Sequence, residues 1–216
     1  MAEANSNKEI LAERAMELFA ERGFAGTSIR DIANSTGLSI SNIYHHFGNK
    51  EGLLLSILEE ASRMLLTRLR EPAQTDADPL ERFKALIRIQ LELSSLMKKE
   101  AKIFFLDEEH LSPEGREKNR TYQEEILEIY RQCLQDLQEA GLANIKSATI
   151  AAFNVLGVLN WHLRWYRPQG RLSREEVCQE VTSFILHGIA GCPEAGGVPP
   201  GRGGPGARVS QEGGVK

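Results

Sequence analysis

The chain has 216 residues, 41% of them hydrophobic and 26% charged, enough to bury one or two cores, and its net charge of −4 argues against a protein that coats nucleic acid non-specifically. Three cysteines, Cys133, Cys178 and Cys192, form an odd set with no CxxC pair, which argues against a disulfide framework or a thiolate zinc site and fits a reducing compartment. The N-terminus carries no basic segment followed by an apolar one, and no uninterrupted apolar run reaches spanning length, so the expectation is a soluble, cytoplasmic protein with no membrane partner.

Leu11, Ala15, Leu18 and Phe19 recur at helical spacing with charges between them, and Gly23 supplies a stop. Ser28 and Asp31 have the form of a capping box opening a short helix through Ile29, Ile32 and Ala33 that ends at Gly37. Ser39 caps a third short helix with Ile40, Ile43 and Phe47 on one apolar side, and Gly48-Asn49 breaks the chain. A longer helix is expected from Lys50 to about Arg70, through Leu54, Ile57, Leu58, Ala61, Met64 and Leu65, until Pro72 interrupts it; it bridges two domains. Beyond it, Leu80 to Met97 reads as a helix, Ala101 to Leu106 as a short apolar piece, and Tyr122, Ile126, Ile129, Cys133 and Leu137 mark a long helix ending at Gly141.

The segment Ala148 to Tyr166 is apolar nearly all round, as for a helix covered on both sides: either a central core helix, or one with a side in the core and a side in a subunit interface. Val177, Val181, Phe184, Ile185 and Ile189 give the last helix a comparable face, so two such helices from each of two chains would build a four-helix dimer interface. Residues 192–216 hold eight glycines and four prolines, a composition that favours disorder. No stretch alternates with period two, so no sheet is expected. The fold expected is all-α, with about nine helices: a three-helix DNA-binding domain at 1–50, a helical ligand-binding and dimerisation bundle at 51–191, and the tail.

Two short helices joined through Gly37 match the helix-turn-helix plan, whose second helix lies in the major groove. The second helix turns Ser39, Ser41, Asn42, His45 and parts of Tyr44 and His46 outward, short hydrogen-bonding groups and flat aromatics suited to phosphates, base edges and thymine methyls. Any DNA-binding face must be local, since Met1 to Lys50 holds five basic and six acidic side chains.

The run Thr27-Ser28-Ile29-Arg30-Asp31-Ile32-Ala33, with Gly37-Leu38-Ser39, Ile43-Tyr44-His45-His46-Phe47 and Lys50-Glu51, resembles the DNA-binding signature of the tetracycline-repressor (TetR/AcrR) family of bacterial regulators. The resemblance implies that Ser28, Tyr44, His46 and Lys50 hold phosphates while Arg30, Ser41, Asn42 and His45 approach bases. It further implies a homodimer reading a near-palindromic double-stranded operator, and repression released by a small-molecule effector. The long fourth helix would transmit a ligand-driven population shift to the spacing of the recognition helices.

In the C-terminal half, Asn160-Trp161-His162-Leu163-Arg164-Trp165-Tyr166-Arg167-Pro168 with Gly170 to Val177 is similar to the C-terminal part of regulators that sense acyl-coenzyme A thioesters. That likeness implies an effector site of Phe105, Asn160, Trp161, Arg164, Trp165, Tyr166 and Arg167, in which an apolar cavity takes the acyl chain and arginines meet the phosphates. The alternative is that Trp161 and Trp165 pack core or interface, that the arginines cap their helix and that Phe104 and Phe105 are core. Asp107, Glu108, Glu109 and His110 point in different directions on a helix and do not read as a metal site. No GxSxG, P-loop, GxGxxG or HExxH pattern suggests an enzyme, and no cofactor is expected. The competing class is a helical protein-interaction module without operator binding, which salt-dependent DNA affinity would separate.

Overall fold

A computed structural model describes residues 2–96, 111–167 and 169–191. Among these residues eight α-helices and no strand occur: α1 Ala2–Arg22, α2 Ile29–Thr36, α3 Ile40–Phe47, α4 Lys50–Ala73, α5 Pro79–Leu96, α6 Pro113–Glu139, α7 Ala148–Trp165 and α8 Arg174–Ala190. The expected piece at Ala101 to Leu106, the residues Phe104 to His110 and the tail at 192–216 lie outside the described residues. No described helix is long and apolar enough to cross a membrane.

The first three helices form where the sequence punctuates them. Gly23 takes a left-handed φ of 76° and its N–H returns to the Phe19 carbonyl, which ends α1. Ser28 and Asp31 make the full reciprocal capping box, and Gly37, at φ 71°, closes α2. The Ser39 side chain accepts the Asn42 N–H to open α3, and Asn49 does the same from the Gly52 N–H to open α4.

Two cores follow. The N-terminal one gathers Leu11, Ala15, Leu18 and Phe19 from α1, Ile32 and Ala33 from α2 and Ile43 from α3. It also takes Leu53, Leu54, Ile57 and Leu58 from α4, so the expected division at residue 50 falls at the start of a helix whose first two turns complete the N-terminal core. Leu111, just before α6, is buried there too. The C-terminal core joins Leu66 and Leu69 of α4 to Phe83, Leu86 and Ile87 of α5, Ile126, Tyr130 and Leu134 of α6, Ala152, Val155 and Leu159 of α7, and Ile185 and Ile189 of α8. The buried stripe of α4 therefore runs through Leu66 and Leu69 and leaves Met64, expected on it, exposed: the helix changes partners halfway along.

Two helices are longer than their apolar pattern indicates. α4 continues to Ala73 with Pro72 in its last turn, where the missing N–H removes a single bond. α6 starts at Pro113, behind the Ser112 cap, rather than near Tyr122. Its first turns bury Gly115 and Asn119, neither of which registers as an apolar stripe. Within the second core the Tyr130 hydroxyl donates to the Leu86 carbonyl at 3.1 Å and burial drives its pKa well above the usual phenol value, while burial also pushes the Cys133 thiol up to about 11. Cys133 is thus a buried neutral thiol, and Cys178 on α8 is a half-buried free one.

Candidate nucleic-acid interface and effector domain

The α2–turn–α3 unit is fastened to the rest of the N-terminal domain by Ile32 and Ala33 of α2 and Ile43 of α3. On α3, Ile43 is 0% exposed, while its neighbour Tyr44 is 53% exposed. Ser39, Ser41 and His45 are exposed with it, and Asn42 and His46 are half-buried. His46 stands edge-on between the rings of His45 and Phe47, at centroid distances of 5.1 and 6.0 Å, so the aromatic side chains of this turn support one another. Ile40, expected on the inner side, is 37% exposed, because the helix meets the core through Ile43 and Phe47.

On α2, Arg30 is exposed, and Ser28 is already engaged: its hydroxyl donates to Asp31 Oδ2 at 2.5 Å and accepts the Asp31 N–H at 3.1 Å. Those Ser28 hydrogen bonds, from the hydroxyl and then the backbone N–H, hold the Asp31 carboxyl below its ordinary pKa. Asp31 therefore stays ionised as a cap, beside Arg30.

Lys50 is half-buried. Its Nζ donates to the Phe24 carbonyl at 2.8 Å and the Thr27 carbonyl at 2.9 Å, and lies 4.2 Å from the Phe24 ring centroid. Two of its three N–H donors are thus committed to the α1–α2 corner, and one is taken by neither carbonyl. Thr27, 1% exposed, fixes that corner with its single hydroxyl proton shared between the Gly23 carbonyl at 3.0 Å and the Leu18 carbonyl at 3.2 Å. Sequence reasoning missed Phe24 and Thr27 as partners of Lys50, because they lie 26 and 23 residues from it along the chain.

In the C-terminal half the candidate effector residues divide. Asn160 is half-buried, its Oδ1 accepting from Gln90 Nε2 at 3.5 Å, and Tyr166 is buried with its ring stacked on His162 at 4.7 Å. Trp161 and Trp165 point outward, 62% and 49% exposed; the Arg164 guanidinium sits 5.3 Å from the Trp161 ring centre, and Trp165 stands edge-on to His162. Arg167 donates to the Arg164 and Tyr166 carbonyls at the C-terminus of α7, which makes it a cap in this structure. Phe105 lies outside the described residues. Gln90 and His162, buried polar groups at the same end of the bundle, were not singled out by the sequence; a polar side chain on a buried helix face is invisible to an apolar-stripe argument. Among the described residues no group of three or more His, Cys, Asp or Glu side chains could hold a metal.

A further apolar surface lies on α7 and α8. Ile150, Phe153, Trp161 and Phe184 are all exposed, and a cleft of about 300 Å³ between the two helices is lined by Ile150, Val158, Phe184 and Gly188 among others.

Comparison with known proteins gives consistent results over most of the chain. Residues 11–57 match the family described as bacterial regulatory proteins, tetR family, and residues 76–189 match the tetracyclin repressor-like C-terminal domain. The transcriptional repressor KstR2 of Rhodococcus jostii is 30% identical over 185 residues, covering 83% of this chain and 89% of that protein. Its namesake in Mycobacterium tuberculosis is 27% identical over 193 residues, covering 87% and 94%. Among solved structures, AibR in complex with isovaleryl coenzyme A and operator DNA superposes with a TM-score of 0.77 at 26% identity, covering 83% of this chain and 98% of that one. The ketosteroid regulator KstR2 of Mycobacterium tuberculosis superposes at 0.76 and 27%, covering 86% and 95%.

Proposed function

The chain belongs to the tetR family of bacterial regulatory proteins, and from that premise we propose that it is a homodimeric transcriptional repressor that leaves its operator when a small effector enters its C-terminal bundle. The observation that carries the reading is α3: one buried isoleucine moors it, and its outer side presents Ser39, Ser41, Asn42, Tyr44 and His45 with no lysine–glutamate pattern of a merely solvated helix. In this proposal Ser41, Asn42 and His45 contact base edges from α3 and Arg30 does so from α2. Tyr44, His46 and the remaining donor of Lys50 take phosphates, and Ser28 contributes through the capped start of α2.

The exposed apolar face of α7 and α8 supports the dimer, since a patch of this kind marks an interaction surface and a two-fold partner presents the same face. A two-fold protein in turn calls for two half-sites in successive major grooves.

For the effector we propose an acyl-coenzyme A thioester. Support comes from the Asn160 to Val177 segment and from AibR, whose solved complex contains isovaleryl coenzyme A. Asn160 and Tyr166 would face the acyl portion, and Trp161, Arg164, Trp165 and Arg167 the nucleotide and its phosphates. A second reading has a specific observation behind it: Trp161 and Trp165 continue the outward stripe of Ile150 and Phe153 along α7, which makes them interface residues and leaves a different hydrophobic effector open.

Titration of the purified chain against DNA from its own upstream region, with and without a panel of acyl-coenzyme A thioesters, tests the proposal. Salt-dependent, saturable binding that one thioester weakens is expected, with that thioester binding the operator-loaded dimer more weakly by the same factor. Binding that no thioester alters would end the coenzyme A proposal while keeping the regulator. Absence of binding to any nearby promoter would point to an interaction module instead.

A further inference from the structure

We propose that Glu51 is the positioning residue through which the effector domain sets the orientation of the helix-turn-helix, an inference that rests on the DNA-binding reading above. Glu51 is the second residue of α4, and its Oε1 accepts the backbone N–H of Ser112 at 2.8 Å. Ser112 is the N-cap of α6. The carboxylate therefore lies at the N-terminal ends of two helices at once, its own and α6, where both dipoles favour negative charge.

Three further features hold the contact in place. A Cβ on Gly115 would come within 2.7 Å of Glu51 Oε1 and into ordinary contact, 3.4 Å, with Leu111 Cβ and Leu55 Cδ1, so a methyl there displaces the carboxylate oxygen before it displaces either helix. Leu111, one residue before the cap, is buried in the N-terminal core, and the Arg116 guanidinium holds the Leu111 carbonyl at 2.9 Å.

The residue before Glu51 works in the opposite direction. Lys50 reaches the Phe24 and Thr27 carbonyls at the corner that leads into α2. Two consecutive side chains thus connect the α1–α2 corner to the first turn of α6 across the start of α4. Farther along, α4 and α6 meet through Leu66, Leu69, Ile126 and Tyr130 and through an exposed Arg70–Glu125 pair. The packed apolar contacts hold the two helices together along their middles, and the exposed ion pair contributes little. A hydrogen bond between a carboxylate and a fixed backbone N–H adds a directional tie at the start of α6, because it weakens steeply with angle. Movement of the start of α6 is in this way delivered to α4 and, through Lys50, to α2 and α3.

The test uses the full chain with Glu51→Ala, the conservative Glu51→Gln, and Gly115→Ala. Spin labels at Asn34→Cys on α2 and Gln132→Cys on α6, in a Cys178→Ser, Cys192→Ser background, report the distance between the two domains without any DNA. Glu51→Ala and Gly115→Ala are expected to broaden or shift that distance, Glu51→Gln to restore most of it, and all three to melt near the parent. On DNA, the preference for the natural half-site spacing over spacings changed by one base pair should fall by about tenfold in Glu51→Ala. An unchanged distance distribution in Glu51→Ala and Gly115→Ala overturns the proposal, whatever the DNA result. A changed distribution in a chain whose parent binds no operator upholds the coupling and removes the DNA-binding reading instead.

Discussion

Ile43 and Tyr44 are adjacent on α3 but one is buried and the other exposed, so truncating each should separate stability from recognition. Ile43 is fully buried in a core whose other buried members come from α1, α2, α4 and Leu111. Ile43→Ala removes three carbon groups at about 0.8 kcal/mol each, about 2.4 kcal/mol, and the cavity left behind raises the loss to about 3 kcal/mol. For a chain of this size that corresponds to a fall in melting temperature of roughly 6–12 °C. Tyr44 is more than half exposed, so Tyr44→Ala should stay within about 0.5 kcal/mol of the parent. If its hydroxyl meets a phosphate in each half-site, two lost charge-assisted bonds of about 1.5 kcal/mol each weaken operator binding on the order of 100-fold. Denaturant unfolding and fluorescence anisotropy on labelled operator measure the two effects. Equal destabilisation by both substitutions would mean that α3 is not oriented as described. Parental operator affinity in Tyr44→Ala would remove Tyr44 from the interface.

Lys50→Met should cost about 2–4 kcal/mol, because two carbonyls lose a charged donor and Phe24 loses its cation. If its third donor also meets a phosphate, the slope of log affinity against log salt should flatten by about 2 for the dimer; loss of stability with an unaltered slope would make Lys50 a strut alone. Ser28→Ala should lose about 1 kcal/mol at neutral pH through the broken cap. Because the Ser28 hydrogen bonds depress the Asp31 pKa in the fold, the stability they add is full above the unfolded carboxylate value and fades as pH falls through the folded one. The gap between parent and variant in urea unfolding should therefore narrow between pH 7 and pH 3, and a constant gap would contradict the capping account. Phe184→Asp places a charge on the exposed α8 face and should shift sedimentation toward monomer while weakening operator binding; an unaltered sedimentation profile would remove α8 from the dimer interface.

The local features of this fold were legible because they repeat within a few residues. The stripe through Leu11, Ala15, Leu18 and Phe19, the cap at Ser28 with Asp31, and the stops at Gly23 and Gly37 all depend on partners no more than four residues away. The outward set on α3 was legible from the spacing of Ile40, Ile43 and Phe47, which defines one apolar side and leaves the short polar groups and Tyr44 off it. Where a helix buries something other than an apolar stripe, that logic failed: the first turns of α6 went unread because Gly115 and Asn119 are what they bury. The outward direction of Trp161 and Trp165 was likewise ambiguous in a helix apolar on every side.

The amino-acid sequence by itself therefore determined the helical stripes, the stops and caps of the first three helices and the composition of the recognition helix, through interactions that close over one or two turns. Tertiary structure alone decided that α4 belongs first to one core and then to the other, that Leu111 completes the N-terminal core, that Lys50 grips Phe24 and Thr27, and that Glu51 meets Ser112 across 61 residues. Such contacts leave no periodic trace, because they arise only once packing has brought distant turns of the chain to within hydrogen-bond distance.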